Sequence, residues 1–284
     1  MAKKNKIVLQ VVTLLLLSIS FLSCKNILDE FAKKDTDEAL LIQAKIQMNS
    51  SLWTEAIATF AQMSTAFRDR RDVRIQHAKA YAGRCGLDLL GLFETLSNNL
   101  SSSRLYPILL SALSGATTTH ADDCIAAESL MLGISTVAAN RTVEENTTLA
   151  FISFAKMGAI MAAFADDAVP VNGTVDADFQ PCQNNTTPGM PNAYVAELGL
   201  SIASESLSEA ISSGGLSGAD ELAVVTNTCT LMAGLGANNF CGSTAAQILA
   251  DASKLDGVRF TLRDTAVIGI GGAVTCSLPV CACP

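Results

Sequence analysis

Histidine is nearly missing from this chain: His77 and His120 are the only two in 284 residues. A zinc site draws several ligands from His and Cys at close spacing. Here His120 and Cys124, four apart, are the one pairing of a histidine with a cysteine at such spacing, a weak signal for a metal centre. A hydrolytic triad needs a nucleophile, a base and an orienting acid. Serines are plentiful, but no G-x-S-x-G elbow occurs. His77 falls in the basic stretch Arg70–Lys79 and reads as part of an exposed helix face, while His120 falls at a helix start; each reads as solvated or capping. A phosphate-cradling glycine loop is also missing. Gly269-Ile270-Gly271-Gly272 supplies two glycines of a dinucleotide fingerprint, but the third position is Val274 and no helix follows. The expectation is a chain with no catalytic residues, no cofactor and no metal.

Charge is scarce too. Charged residues make up 16% of the chain, below the usual quarter or so. Acids dominate, with 27 Asp and Glu against 19 Lys and Arg. Such a surface is repelled by phosphate backbones, so no nucleic-acid partner is expected. Asp122-Asp123, Asp166-Asp167 and Asp176 with Asp178, near Asn172, offer oxygen ligands for calcium. The EF-hand spacing of glycine and closing glutamate is lacking, and these groups read as solvated carboxylates.

What is present begins at the N-terminus. Lys3, Lys4 and Lys6 precede an almost wholly apolar run from Ile7 to Leu17, and Ser18, Ser20 and Ser23 follow. That is the order of a secretory signal, and the apolar run is too short to span a bilayer. Phe21-Leu22-Ser23-Cys24 resembles a bacterial lipobox, with Phe21 where leucine is usual. The resemblance implies that residues 1–23 are removed and that Cys24 becomes a thioether-linked, acylated first residue. Lys25, in place of the aspartate that favours inner-membrane retention, points to the outer membrane. Two or three acyl chains, at about 0.8 kcal/mol per buried CH₂, hold a folded domain stably. The remaining 261 residues, stripped of the signal's three lysines, carry a net charge of −11.

Eight cysteines remain: Cys85, Cys124, Cys182, Cys229, Cys241, Cys276, Cys281 and Cys283. An even number in an oxidising compartment predicts disulfides, and the sequence leaves all of the roughly 105 pairings open. At least one of the three C-terminal cysteines is expected to reach back to Cys229 or Cys241 and pin the tail.

The rest reads as mainly α. After a tether over residues 24–35, helical spacing predicts helices over 36–48 and 53–66, then shorter ones over 87–96 and 105–113. Further helices are predicted over 121–139, 143–165, 193–212, 219–235 and 243–254. The segment 143–165 has the widest apolar face and is expected to be central to the core. Residues 166–191, rich in proline and glycine, read as a long loop stapled by Cys182. Residues 259–265 read as a short strand. The organisation expected is a helical repeat-like domain over 36–168, a loop over 169–191, and a Cys-rich helical part over 192–284 that belongs to the same or a second domain.

The first helix pair resembles a tetratricopeptide repeat. Ala44 holds the small position of the first helix. Trp53 is the aromatic opening the second, and Ala56 and Phe60 are its small and aromatic positions. Ser51 replaces the usual turn glycine and Arg68 the closing proline. A fainter copy begins near Asp72, with Ala78, Tyr81, Gly91 and Phe93. The resemblance implies helical hairpins packed into a bundle or short solenoid, offering a surface to another envelope protein. The alternative is a carrier of a small apolar molecule or lipid, in a cavity lined by Met157, Ile160, Met161 and Phe164.

Overall fold

The computed structural model describes residues 35–99, 104–184, 189–212, 227–264 and 268–270. Cys24, its tether and Cys276, Cys281 and Cys283 lie outside that set. The described chain is helical, with no strand among the described residues.

The N-terminal helices are α1 (Asp37–Asn49), α2 (Trp53–Gln62), the single-turn α3 (Thr65–Arg68) and α4 (Arg71–Arg84). Thr36 caps α1, accepting the Ala39 N–H at 3.3 Å, and Asp37 and Glu38 sit in its first turn where the helix dipole favours acids. The predicted second helix, 53–66, stops short at Gln62. Ser64 starts a new cap there: its hydroxyl accepts the Phe67 N–H, while its own N–H and O–H both donate to Asp37. These bonds turn the chain into α3 before it enters α4.

Next come α5 (Leu89–Asn99), α6 (Leu105–Ala112), α7 (Thr118–Leu132) and α8 (Val143–Ala165). The last matches the expected 143–165. Its start is fixed by a capping box, with Glu145 N–H to Thr142 Oγ1 at 3.2 Å and Thr142 N–H to the Glu145 carboxylate at 2.7 Å. Its 23 residues are apolar enough to cross a membrane, yet 89% of its most apolar window is buried inside the protein. It packs against α4, α6 and α7 and against the later helices Asn192–Ile202 and Glu205–Ser212, and so acts as the core helix. Gly158 lets α6 approach closely: a Cβ there would sit 2.6 Å from the Leu109 carbonyl oxygen. Leu149, Ile152, Met157, Ile160 and Met161 are fully buried, at about 1.5–3 kcal/mol of apolar burial each.

The C-terminal helices are α9 (Asn192–Ile202), α10 (Glu205–Ser212), α11 (Ala245–Leu249) and α12 (Ala252–Arg263). The expected continuous helix 193–212 is broken at Ala203-Ser204, where the Ser204 hydroxyl accepts the Ser206 N–H. The expected helix 243–254 ends early because Asp251 caps α12, accepting the Ser253 N–H at 3.0 Å. The strand expected over 259–265 is overturned for its described residues, 259–264; residue 265 lies outside the described set. Once Asp251 starts a helix, Leu255, Val258 and Leu262 fall on one buried face, and the β-branched and aromatic residues between them follow. Of the helix expected over 219–235, residues 219–226 lie outside the described set. Residues 227–232 are helical and pass into a 3₁₀ segment, Ala233–Asn238. One buried cluster runs from Cys85 to Ile268 and joins the helices on both sides of the long loop.

That loop, 166–191, is tied down by polar side chains. The Asp166 carboxylate accepts the N–H groups of Asn172 and Gly173, and Asp176 accepts those of Asp167 and Ala168. Phe179 plugs into the core. Arg259, nearly fully buried on α12, donates to the carbonyls of Pro181, Gln183 and Met190 and to Asn192 Oδ1. Burial lowers the pKa of its guanidinium, and the four acceptors take up the charge.

Candidate functional site

Two places gather side chains beyond plain packing. The first is the N-terminal stack, in which α1 packs on α2, α2 on α4 and α4 on α7. Ala44, Ala56 and Phe60 are fully buried at its crossings, in a small cluster with Leu40, Ile57, Met63, Phe67, Val73 and Ala80. Small residues at crossings let helix axes approach to the lower end of the usual 8–10 Å. Trp53 lies half-buried over Gly83 of α4: a Cβ on Gly83 would stand 2.6 Å from the indole ring. Ala44, Trp53, Ala56 and Phe60 thus all pack within this stack.

Charge pairs tie this stack to the core. Arg71 grips Glu145 with two bonds, at 2.6 and 2.5 Å, and Arg84 grips Asp123 at 2.8 and 2.7 Å. The hydrogen bond from Arg71 holds the Glu145 carboxyl below the ordinary carboxylate range, against the opposing effect of burial. One residue after Arg84 and Asp123, Cys85 and Cys124 form a disulfide.

The second place is a buried charge centre at the meeting of α7, α8 and α9. The Lys156 side chain is 0% exposed and contacts both Glu128 and Glu197, the latter at 2.8 Å. Glu128 also accepts the hydroxyls of Ser153 at 2.7 Å and Ser201 at 3.3 Å. Glu128 is buried, while Glu197 keeps an exposed edge. Sequence reasoning missed this centre. The available signal was Lys156 itself, the one basic residue in an otherwise apolar core helix, with Ser153 one turn before it. The Ser-x-x-Lys spacing does not make a nucleophile here, because Ser153 is buried and its hydroxyl is committed to Glu128.

The histidines divide. His120 caps α7 as expected, its Nδ1 accepting the Thr117 N–H at 3.1 Å. His77 departs from the exposed position expected of it. It is half-buried between Phe60, stacked at 4.7 Å between ring centroids, and Tyr81 at 5.1 Å. Burial, with the nearby Arg68 charge, pushes its pKa down to about 4. The basic stretch misled because α4 is covered on two sides, so its polar residues do not share one solvent face.

Each acidic pair holds protein groups. Asp122 accepts the Tyr194 hydroxyl at 2.9 Å, Asp123 holds Arg84, and Asp166 and Asp176 hold loop N–H groups. No cluster of three metal-ligating side chains occurs among the described residues. Cys229 and Cys241 bond to each other, which overturns the expectation that the tail cysteines reach back to one of them. Twelve residues apart, they are joined through the 3₁₀ segment, which brings their Cα atoms to 5.7 Å. Cys182 is disulfide-bonded as well. Comparison with protein-family models, curated proteins and solved structures finds no match.

Proposed function

We propose that this chain is a lipid-anchored protein of the bacterial cell envelope, held at the outer membrane through Cys24, whose helical hairpins bind another envelope protein. On this reading it is a scaffold and not an enzyme. The observation that supports it most is the stack α1, α2, α4 and α7, in which the tetratricopeptide-like positions Ala44, Trp53, Ala56 and Phe60 lie at helix crossings. Stacked hairpins of this kind offer extended surfaces suited to a peptide or helix. The carrier reading has less support, since Met157, Ile160, Met161 and Phe164 are packed in the main core cluster. The test is mild crosslinking in native envelopes, followed by intact mass of the membrane-extracted protein before and after reduction. An acyl mass on Cys24 and one recurrent partner protein are expected. A full-length unacylated chain, or monomer alone in repeated crosslinking, would defeat the reading.

A further inference from the structure

We infer that the outer face of α1 rests on the bilayer surface beside the anchor. This rests on the lipidation of Cys24 proposed above. In an α-helix a step of two residues turns about 200°, so Ile42 and Ile46 lie opposite the buried Leu40 and Ala44. They are 62% and 60% exposed, among the most open large apolar side chains described. The helix is therefore apolar on two opposite sides. One side is filled by α2 and the other has no covering element among the described residues.

The occupant follows from position and size. Two isoleucines are far too little for a contact between copies, which takes about 800 Å² per partner. Cys24 lies eleven residues before Asp35, a reach of roughly 40 Å at full extension, so α1 is the first described helix after the anchor. A side chain held there meets headgroups at high effective concentration, and a small apolar contact suffices once the lipid has supplied the binding. The flanking charges, Glu38 and Lys45, are of opposite sign. The face is thus nearly neutral on an otherwise acidic chain and needs no anionic lipid.

The test uses the full acylated chain in vesicles of phosphatidylethanolamine and phosphatidylglycerol, with brominated acyl chains as quenchers. In a Trp53→Phe background, one variant carries Ile42→Trp and a control carries Glu55→Trp on the exposed side of α2. Circular dichroism confirms that both keep native helix content, and mass spectrometry reports the lipid on Cys24. Tryptophan at 42 is expected to lose most of its emission and tryptophan at 55 little. Adding Ile46→Ser should weaken the quenching at 42, and removing phosphatidylglycerol should leave it unchanged. Acylated protein with no quenching at 42, or with equal quenching at both sites, overturns the inference and leaves the anchor standing. So does crosslinking of position 42 to a second copy or to another protein. Absence of the acyl mass overturns anchor and inference together.

Discussion

Replacing Lys156 with methionine should be among the most damaging single changes to this protein. Methionine fills nearly the same volume, so the loss isolates the charge. Lys156 lies fully buried between Glu128 and Glu197. Without it the Glu128 carboxylate keeps two serine hydroxyls but no counter-charge, and it cannot turn to water as Glu197 can. Breaking a buried pair by removing one partner costs about 3–5 kcal/mol, a large part of the roughly 5–15 kcal/mol that holds a domain folded. At about 2–4 °C per kcal/mol, the melting temperature should fall by roughly 6–20 °C. The double variant Lys156→Met with Glu128→Met should recover most of the loss, because a hydrophobic replacement of a whole buried pair is often neutral or stabilising. Urea titration followed by far-ultraviolet circular dichroism, with disulfides intact, gives the four corners of the cycle. A single variant within about 1 kcal/mol of wild type would mean that Lys156 does not neutralise a buried charge, as would a double variant worse than the single.

Three further outcomes are expected. Stability should fall as pH drops from about 6.5 toward 4, because the folded state holds His77 neutral down to about 4 while the unfolded chain binds a proton earlier. Discounted for its partial exposure, the effect is about 1–2 kcal/mol. It is fully felt below pH 4, and urea titrations of wild type and His77→Phe across that range should show it only in wild type. Gly83→Ala drives a methyl into the indole of Trp53 and should cost about 1–3 kcal/mol, read as lower stability and a red shift in the emission of the single tryptophan. Cys85→Ser with Cys124→Ser opens a loop spanning 39 residues and should lower stability by about 4 kcal/mol, measured by the same titration with the other disulfides kept oxidised.

The all-helical class was legible because its signals are local. The core helix α8 announces itself by a wide apolar face, and its predicted bounds match. Breaks were harder to see. Ser64, Ser204 and Asp251 each end or start a helix through side-chain hydrogen bonds to nearby N–H groups, and serine or aspartate looks much the same in a helix interior as at a cap. The strand expected over 259–265 failed for a related reason: Phe260 and Thr261 have strand-like propensity, but the tertiary face set by Leu255, Val258 and Leu262 decided the period. The charge centre was out of reach for another reason. Lys156 stands out as the one basic residue of α8, but Glu128 and Glu197 are ordinary residues alone, and nothing local says that three helices bring them to one point. The disulfides divide in the same way. The even count predicted pairing, but Cys229 chose its neighbour Cys241 over the tail, a choice settled by a loop too short to read from spacing.

The adjacent cross-links at Arg84–Asp123 and Cys85–Cys124 also shape how the protein bears tension. A pull on the N-terminal side can strip α1, α2 and α4 from the stack, but at residue 85 the load passes through sulfur to residue 124. The chain between those cysteines, with α5 and α6 inside it, is shielded from the force and cannot lengthen. Extension would therefore come in two lengths, one short of Cys85 and one beyond Cys124. Opening the Cys85–Cys124 bond alone, with the other disulfides intact, would add the hidden length between them, on the order of 130 Å at 3.3–3.6 Å per residue.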